Sequence, residues 1–264
     1  MSRRFPLPAA LSVLLLACAA GAQAQNSVQF NGWAYGGSGT SATYNFAADP
    51  RTGAASTTGG SGGGFSITLN GTGSFAAYCV ELFETISPTG NYTGYAIKDP
   101  STYKWAAGAP GVNGWNPARA EQIGSRIGQL WAYADATYGL GNTPNPTNTA
   151  LQSASTAMQW AVWNIVYDTD NSVSAGGTGA SNNFWITQTT ANASLISLAN
   201  TMLTASASYG QKYNISILTK SGNQDEIFTD RRVSPVPEPG TTALLMAGLA
   251  AVGFVSRRRR TQQG

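Results

Sequence analysis

The chain has 264 residues, among them 15 basic and 12 acidic side chains, two cysteines and no histidine. Without histidine, a Ser-His-Asp triad, a Cys-His nucleophile pair and a histidine-ligated metal are all excluded. Two cysteines are too few for a cysteine-rich zinc site, and we expect no metal and no cofactor.

The first predicted element is a secretory signal peptide over residues 1–24. A basic start with Arg3 and Arg4 precedes an apolar run, and the small residues of "AQA" end at Ala24 as a cleavage site. Lipid attachment at Cys18 is the alternative interpretation. In either case Cys79 is the single cysteine of the mature domain, so that domain has no internal disulfide.

The mature domain is predicted to span residues 25–232. This range contains nine basic and eleven acidic residues, a formal charge of −2, so it offers no basic patch for nucleic acid. About 208 residues are enough for one sizeable domain. The seven tryptophans of the chain favour a packed core over disorder.

Strands are predicted at both ends of this domain because aromatic and β-branched residues cluster there between Gly, Ser and Thr turns. The predicted strands are "SVQFNGWAY", "ATYNFA", "GFSITLN", "GSFAAYCVELFETI", "YTGYAIK", "KYNISILTK" and "DEIFTD". The glycine-rich stretch "TTGGSGGG", residues 57–64, is predicted as a flexible hairpin or loop.

Three helices are predicted between the strands, at about residues 116–208. The first has Asn116 as N-cap, Pro117 at its first position and Gly139 as its end. The second runs from about Thr149 to Tyr167, and the third lies in "TTANASLISLANTMLTASAS". The predicted fold is therefore α+β, a mainly antiparallel β-sandwich or barrel with an inserted helical subdomain.

The last predicted element, residues 233–264, combines Pro-Glu-Pro punctuation, an apolar helix over residues 241–256 and an arginine cluster. It resembles the PEP-CTERM sorting signal of Gram-negative, exopolysaccharide-producing bacteria. The residues that carry this resemblance are Val236, Pro237, Glu238, Pro239, Gly240, Arg257, Arg258, Arg259 and Arg260. The resemblance implies cleavage by an exosortase, with the helix as a transient transmembrane anchor in the inner membrane.

Carboxylates are the remaining catalytic candidates. Glu81 and Glu84 lie three apart in a predicted strand and should point to opposite faces, which makes a poor acid/base pair. Asp168 and Asp170 lack the surrounding residues of a calcium loop. We interpret all four as solvated or structural charges, and a carboxylate hydrolase is disfavoured.

Cys79 lies in a predicted strand and Gln159 in the second predicted helix. Taken singly, Cys79 is a small apolar residue and Gln159 a partly buried amide bonded to nearby backbone. Taken together, Tyr78-Cys79-Val80 and the later Ala157-Met158-Gln159-Trp160-Ala161-Val162-Trp163 resemble the internal thioester domain of bacterial surface adhesins. Met158 stands where that family usually has threonine.

This second resemblance implies that Cys79 and Gln159 condense to a thioester with loss of ammonia. We assign Tyr78, Trp160 and Trp163 as the bulky groups that shield the bond from water. An amine or hydroxyl nucleophile on a surface partner would then displace the sulfur and become linked to Gln159. Because each chain would react once, the protein would not be an enzyme.

The expected function is adhesion or covalent attachment at the cell surface or in the extracellular matrix, with an extracellular polysaccharide or a surface nucleophile as partner. The alternative is a noncovalent carbohydrate-binding or structural biofilm-matrix protein. In that case exposed Trp33, Trp105 or Trp115 would serve as stacking platforms for sugars.

The mature protein should lack both residues 1–24 and the arginine tail, because both ends carry processing signals. Peptide mapping of the cell-surface fraction measures this directly. Peptides that contain Gly253 and Phe254 should be absent, and their recovery from extracellular material would refute C-terminal cleavage.

Overall fold

The computed structural model describes residues 26–37, 39–105, 117–175, 183–210 and 212–229. They contain nine strands, three α-helices and a short 3₁₀ helix, Thr149–Leu151. The strands are β1 (Asn26–Trp33), β2 (Thr40–Phe46), β3 (Ser56–Gly62), β4 (Phe65–Leu69), β5 (Thr72–Cys79), β6 (Thr89–Lys98), β7 (Phe184–Ile186), β8 (Ile215–Lys220) and β9 (Asn223–Thr229). The helices are α1 (Pro117–Tyr138), α2 (Gln152–Tyr167) and α3 (Ala193–Ser206).

Six strands form a closed antiparallel barrel in the order β1-β4-β5-β9-β8-β6. A second sheet has the order β3-β2-β7. The strands form because apolar and polar residues alternate, as in β1, where Val28 and Phe30 are buried and their neighbours face outward. The predicted α+β class, with an antiparallel barrel and three helices, is confirmed.

The boundaries of α1 follow from its sequence. Pro117 begins the helix, where the missing N–H of proline has no cost. Gly139 ends it with a positive φ of 76°, and its N–H donates to the carbonyl of Asp135 at 2.9 Å. Ile123, Ile127, Leu130 and Ala134 form a buried apolar stripe along the helix.

Helix α2 lies at the centre of the domain. All residues from Ala154 to Tyr167 are buried. Its neighbours are α1 and α3, the barrel strand β5, and strands β3 and β7 of the second sheet. A surface helix would bury one stripe, whereas α2 is covered on every side. Any polar side chain on α2 therefore needs an internal hydrogen-bond partner.

Two predicted segments differ in the structure. Strand β5 ends at Cys79, so Glu81 and Glu84 lie in the irregular segment that follows and not on opposite faces of a strand. The glycine-rich stretch at residues 57–64 is largely strand β3, paired with β2 over its full length. The absence of side chains allows β3 to lie directly against α2, because a Cβ on Gly62 would be 2.6 Å from the indole Nε1 of Trp160.

No helix among the described residues is long and apolar enough to cross a membrane. The predicted 241–256 helix, together with the rest of the sorting segment and the signal peptide, lies outside the described residues.

Gly62→Ala should lower the free energy of unfolding by about 1–3 kcal/mol, because the new methyl group must displace the buried Trp160 ring. Gly59→Ala is the matched control in the same strand. Its added Cβ meets only an ordinary contact of 3.6 Å, so its effect should stay within about 0.5 kcal/mol. Urea unfolding of both variants measures the difference, and equal stabilities would contradict the close packing of β3 on α2.

Candidate functional site

The side-chain amide of Gln159 is paired with the backbone of Cys79. The Cys79 N–H donates to Gln159 Oε1 at 2.9 Å, and Gln159 Nε2 donates to the Cys79 carbonyl at 2.8 Å. Gln159 is fully buried and Cys79 is 4% exposed, so no solvent competes for these bonds. The sequence-based expectation of a partly buried glutamine was wrong because α2 is covered on every side.

The end of strand β5 explains why Cys79 is available for this pairing. Its neighbour Val80 donates its N–H to Asp225 of β9 at 3.0 Å. In a strand, the backbone N–H and C=O of one residue point to one side, and those of the next residue point to the other. The N–H and C=O of Cys79 therefore point away from β9. On that other side the paired register of β4 with β5 stops at Phe65 opposite Ala77. Gln159 thus takes the place that a neighbouring strand would occupy.

Other polar residues of α2 complete the same boundary. The Ser155 hydroxyl accepts the N–H of Gly64 at 2.9 Å and lies 3.3 Å from the hydroxyl of Tyr78. The Thr156 hydroxyl donates to the carbonyl of Gly62 at 3.1 Å. These contacts fix α2 along its axis against the strand ends, which holds the Gln159 amide at Cys79.

The sulfur of Cys79 faces a buried carboxyl group. Cys79 and Glu226 are paired residues of β5 and β9, and the thiol donates to Glu226 Oε1 with 3.4 Å between Sγ and oxygen. Glu226 is fully buried, and its second oxygen, Oε2, has no hydrogen-bond partner among the described residues. The Gln159 amide and the Glu226 carboxyl therefore both contact Cys79, one at its backbone and one at its side chain.

Burial controls the ionisation of both groups. It raises the pKa of the Cys79 thiol well above its usual value, and the negative charge of Glu226 raises that pKa further. Burial likewise raises the pKa of the Glu226 carboxyl. A thiolate is consequently scarce at neutral pH, and the sulfur needs a local proton acceptor before it can act as a strong nucleophile.

A cavity of about 250 Å³ extends from Cys79 toward solvent. Trp163 lies at its inner part beside Cys79, and Trp33 and Phe65 contribute a stacked pair with ring centroids 4.8 Å apart. Exposed Gly60 and Ser61 of β3 line its outer part. The cavity gives a small group a route to Cys79 past aromatic rings.

The three predicted shielding residues are all buried but occupy different positions. Trp163 lines the cavity beside Cys79. Trp160 lies under β3 and donates its indole N–H to the hydroxyl of Tyr44 at 3.2 Å. Tyr78 packs edge to face on Trp131 with ring centroids 5.2 Å apart. Of the three, only Trp163 borders the route from solvent.

A second group of acids lies next to this site. The Tyr103 hydroxyl donates to Asp225 at 2.8 Å and contacts Glu81 at 3.3 Å. Burial, followed by the charge of Asp225, raises the pKa of Glu81 to about 8. Glu81 is therefore largely protonated at neutral pH. This group packs the segment after β5 against β9.

The other predicted carboxylates have structural surroundings. Asp168 is buried and accepts the backbone N–H groups of Thr169, Asn183 and Phe184 at 2.7–2.8 Å, which fixes the chain at the start of β7. Asp170 accepts the Asn164 side-chain amide at 3.0 Å. Glu84 lines the outer part of the cavity near Cys79.

The predicted tryptophan platforms are only partly available. Trp105 is 2% exposed and donates its indole N–H to the carbonyl of Pro100 at 2.9 Å, so the expectation that it is exposed was wrong. Its burial follows from its packing on Tyr103. Trp33 is half-buried and faces the cavity. Trp115 lies outside the described residues.

The sequence interpretation missed Glu226 and Phe65 as members of the site, and it named Trp33 only as a stacking platform for sugars. The strand "NQDEIFT" places adjacent acids beside Ile227 and Phe228, and an acid in an apolar strand is an available sequence signal for a buried carboxyl group. Its contact with Cys79 is not readable from sequence, because 147 positions separate the two residues.

Comparison with known proteins identifies the C-terminal segment. Residues 235–260 match the PEP-CTERM protein-sorting motif, a range that includes the predicted Pro-Glu-Pro and arginine elements. The chain is accordingly an exported surface protein with a C-terminal sorting signal, consistent with processing by an exosortase. No curated protein matches the chain.

Among solved structures, the chain is similar to the N-terminal domain of the Streptococcus pyogenes pilus tip adhesin Cpa. The two share 13% sequence identity, and the alignment covers 72% of this chain and 92% of that one with a TM-score of 0.39.

Gln159→Ala should destabilise the domain more than Cys79→Ala, by about 2 kcal/mol. The first change leaves the buried N–H and carbonyl of residue 79 without partners, whereas the second keeps both bonds to Gln159. Any covalent link between the two side chains is absent from both variants, so their difference in urea unfolding compares the loss of the Gln159 bonds with the loss of the weaker thiol contact to Glu226. Equal stabilities would show that the pairing is not formed in solution.

Proposed function

We propose that Cys79 and Gln159 form an internal thioester, and that the exported domain uses this bond for covalent attachment at the cell surface or in the extracellular matrix. The observation that carries the proposal is the reciprocal hydrogen-bond pair between the Gln159 amide and the Cys79 backbone. It holds the amide carbon beside the residue that carries the thiol, in a water-poor interior.

In this proposal, proximity supplies most of the rate acceleration. A free glutamine amide does not react with a thiol near neutral pH. Well-oriented intramolecular groups gain effective molarities of about 10⁵ M or more. Helix α2 and strand β5 are both rigid elements, so the cost of aligning the two groups is met on folding and not in the reaction.

The backbone supports the charge that develops during the reaction. When sulfur attacks the amide carbon, negative charge moves to Gln159 Oε1, which already accepts the Cys79 N–H at 2.9 Å. A hydroxyl at position 158 is therefore not needed to orient this oxygen. Met158, fully buried in α2, is compatible with thioester formation.

The surroundings suit a bond that must survive until a partner arrives. Cys79 and Gln159 are buried, and Trp163 lines the cavity together with Cys79. An amine or hydroxyl nucleophile on the partner would enter through the cavity, attack the thioester carbonyl and release the Cys79 thiol. Each chain would react once, so this is attachment chemistry and not enzymatic turnover.

The sorting signal gives this chemistry a location. After export and exosortase processing, an extracellular polysaccharide or a surface protein would be within reach of the cavity. The formal charge of −2 on the mature range makes nucleic acid a poor partner.

A second candidate is noncovalent binding of carbohydrate in a biofilm matrix. The stacked Trp33 and Phe65 rings favour it, because aromatic faces that line an open cavity suit the apolar faces of sugars. This function requires no bond between Cys79 and Gln159, so the two proposals differ in covalent mass.

The purified mature protein should be lighter than its sequence by one ammonia. Because Cys79 is buried in either case, the thiol should be tested with an alkylating reagent after unfolding, where a thioester remains unlabelled and a free thiol reacts. Methylamine should add one amine at Gln159 and free Cys79. Intact mass and peptide fragmentation measure both changes.

Cys79→Ala and Gln159→Ala are the matched controls, since each residue supplies half of one bond. Both variants should fold, have full sequence mass and ignore methylamine. A wild-type protein of full mass, whose Cys79 labels completely on unfolding, would refute the thioester and leave the noncovalent function.

A further inference from the structure

The Glu226 carboxyl is buried without compensation. It is fully inaccessible, it contacts the Cys79 thiol through Oε1, and Oε2 has no hydrogen-bond partner among the described residues. The one ion pair found in the described part of the chain joins Arg51 and Asp49, so no basic side chain there neutralises Glu226. Such a group costs stability, and a glutamine or an apolar residue would fill the space at lower cost.

We propose that Glu226 is the catalytic acid-base residue of the Cys79–Gln159 site, which accepts the thiol proton when the thioester forms and returns it to the leaving nitrogen. This inference rests on the proposed function, because it assigns a residue to that reaction. The carboxyl is the described ionisable side chain in hydrogen-bond contact with the sulfur.

The reaction balances without a further reagent. The Cys79 S–H proton moves to Glu226 Oε1, and the sulfur electron pair forms a bond to the Gln159 amide carbon. Charge on Gln159 Oε1 is held by the Cys79 N–H. The carbon–nitrogen bond then breaks, the nitrogen takes the proton from Glu226, and ammonia leaves. Thiol and amide become thioester and ammonia, and Glu226 returns to its starting state.

The opening of the thioester by an amine uses the same group in reverse. The attacking nitrogen must lose a proton, and the departing sulfur must gain one, since burial raises the pKa of the Cys79 thiol and so disfavours a free thiolate. A carboxyl group in contact with the sulfur can deliver that proton. One residue therefore serves both formation and opening of the bond.

The ionisation of Glu226 depends on a defined set of neighbours. Burial is the main cause of its raised pKa, while the contact with Cys79 of β5 lowers it. Asp225, on β9 itself, and Glu81, after β5, raise it further when they are ionised. Tyr95 of β6 also faces Glu226, whose charge raises the pKa of that phenol. The charged, proton-accepting form of Glu226 is lost as pH falls through this raised pKa.

Glu226→Gln in the full chain is the direct test, because it keeps the shape of the side chain and removes the proton acceptor. Thioester formation is followed by intact mass after a pulse of cell-free synthesis, with methylamine reactivity as a second readout. Loss of a general base should slow formation by about 10²-fold or more. Glu121→Gln is the matched control, since Glu121 is exposed on α1 and its replacement removes one carboxyl group without removing the carboxyl at the sulfur.

The pH profile separates a chemical role from a structural one. In the wild type, the rate of thioester formation should fall as pH is lowered through the raised pKa of Glu226, and in Glu226→Gln this dependence should be absent. The profile of the wild type alone is informative if the variant does not fold. A rate that shows no such fall would overturn the assignment.

The outcomes also separate this inference from the function on which it rests. A wild type that forms the thioester, a slow Glu226→Gln and a normal Glu121→Gln support both. Equal rates in wild type and Glu226→Gln would overturn the role of Glu226 and leave the thioester intact. A wild type without any mass loss would instead overturn the proposed function itself.

Discussion

The insertion of a helix that is buried from Ala154 to Tyr167, between a barrel and a second sheet, is the constraint on which the rest of the structure depends. From Ala154 to Tyr167, helix α2 has no solvent-facing side, so the polar side chains in this range need partners inside the protein. Ser155, Thr156 and Gln159 find theirs on the backbone of strand ends. Asn164 does so on the loop that leads to β7, through the carbonyl of Ser172. The polar positions of α2 therefore determine both how the helix sits and where Gln159 points.

The fold class was predictable from sequence because its signals are local patterns. They are the alternation of apolar and polar residues in strands, the residues that begin and end the first helix, and the apolar stripes of the helices. Strand β3 was not predictable, since Gly59 and Gly60 carry no side chains from which a pattern could be read. Its conformation depends on distant partners, the β2 backbone and the Trp160 ring. Cys79 and Gln159 could be paired by motif, but the place of Glu226 depends on barrel register, which no local pattern encodes.

The Cys79 site concentrates groups that weaken the fold. A thiol and a carboxyl group lie in contact inside a low-dielectric interior, and Glu81 and Asp225 add further acid nearby. Burial destabilises the charged form of each group, so the pKa values of these neighbouring groups are all raised. The hydrogen bonds between Gln159 and Cys79 offset part of this cost. The same interior that disfavours charge also excludes water, and both properties follow from the burial of α2.

The position of β9 has a mechanical consequence for force applied through the sorting segment. This strand ends at Thr229, a few residues before the sorting motif, and it is paired in the barrel with β5 on one side and β8 on the other. Hydrogen bonds of an antiparallel pair lie perpendicular to the strands. A pull on the C-terminal side along β9 therefore loads the bonds to both neighbours in shear, so that many must break together, rather than peeling them one at a time. The strand next to the sorting motif, like each strand of the closed barrel, is thus held on both edges.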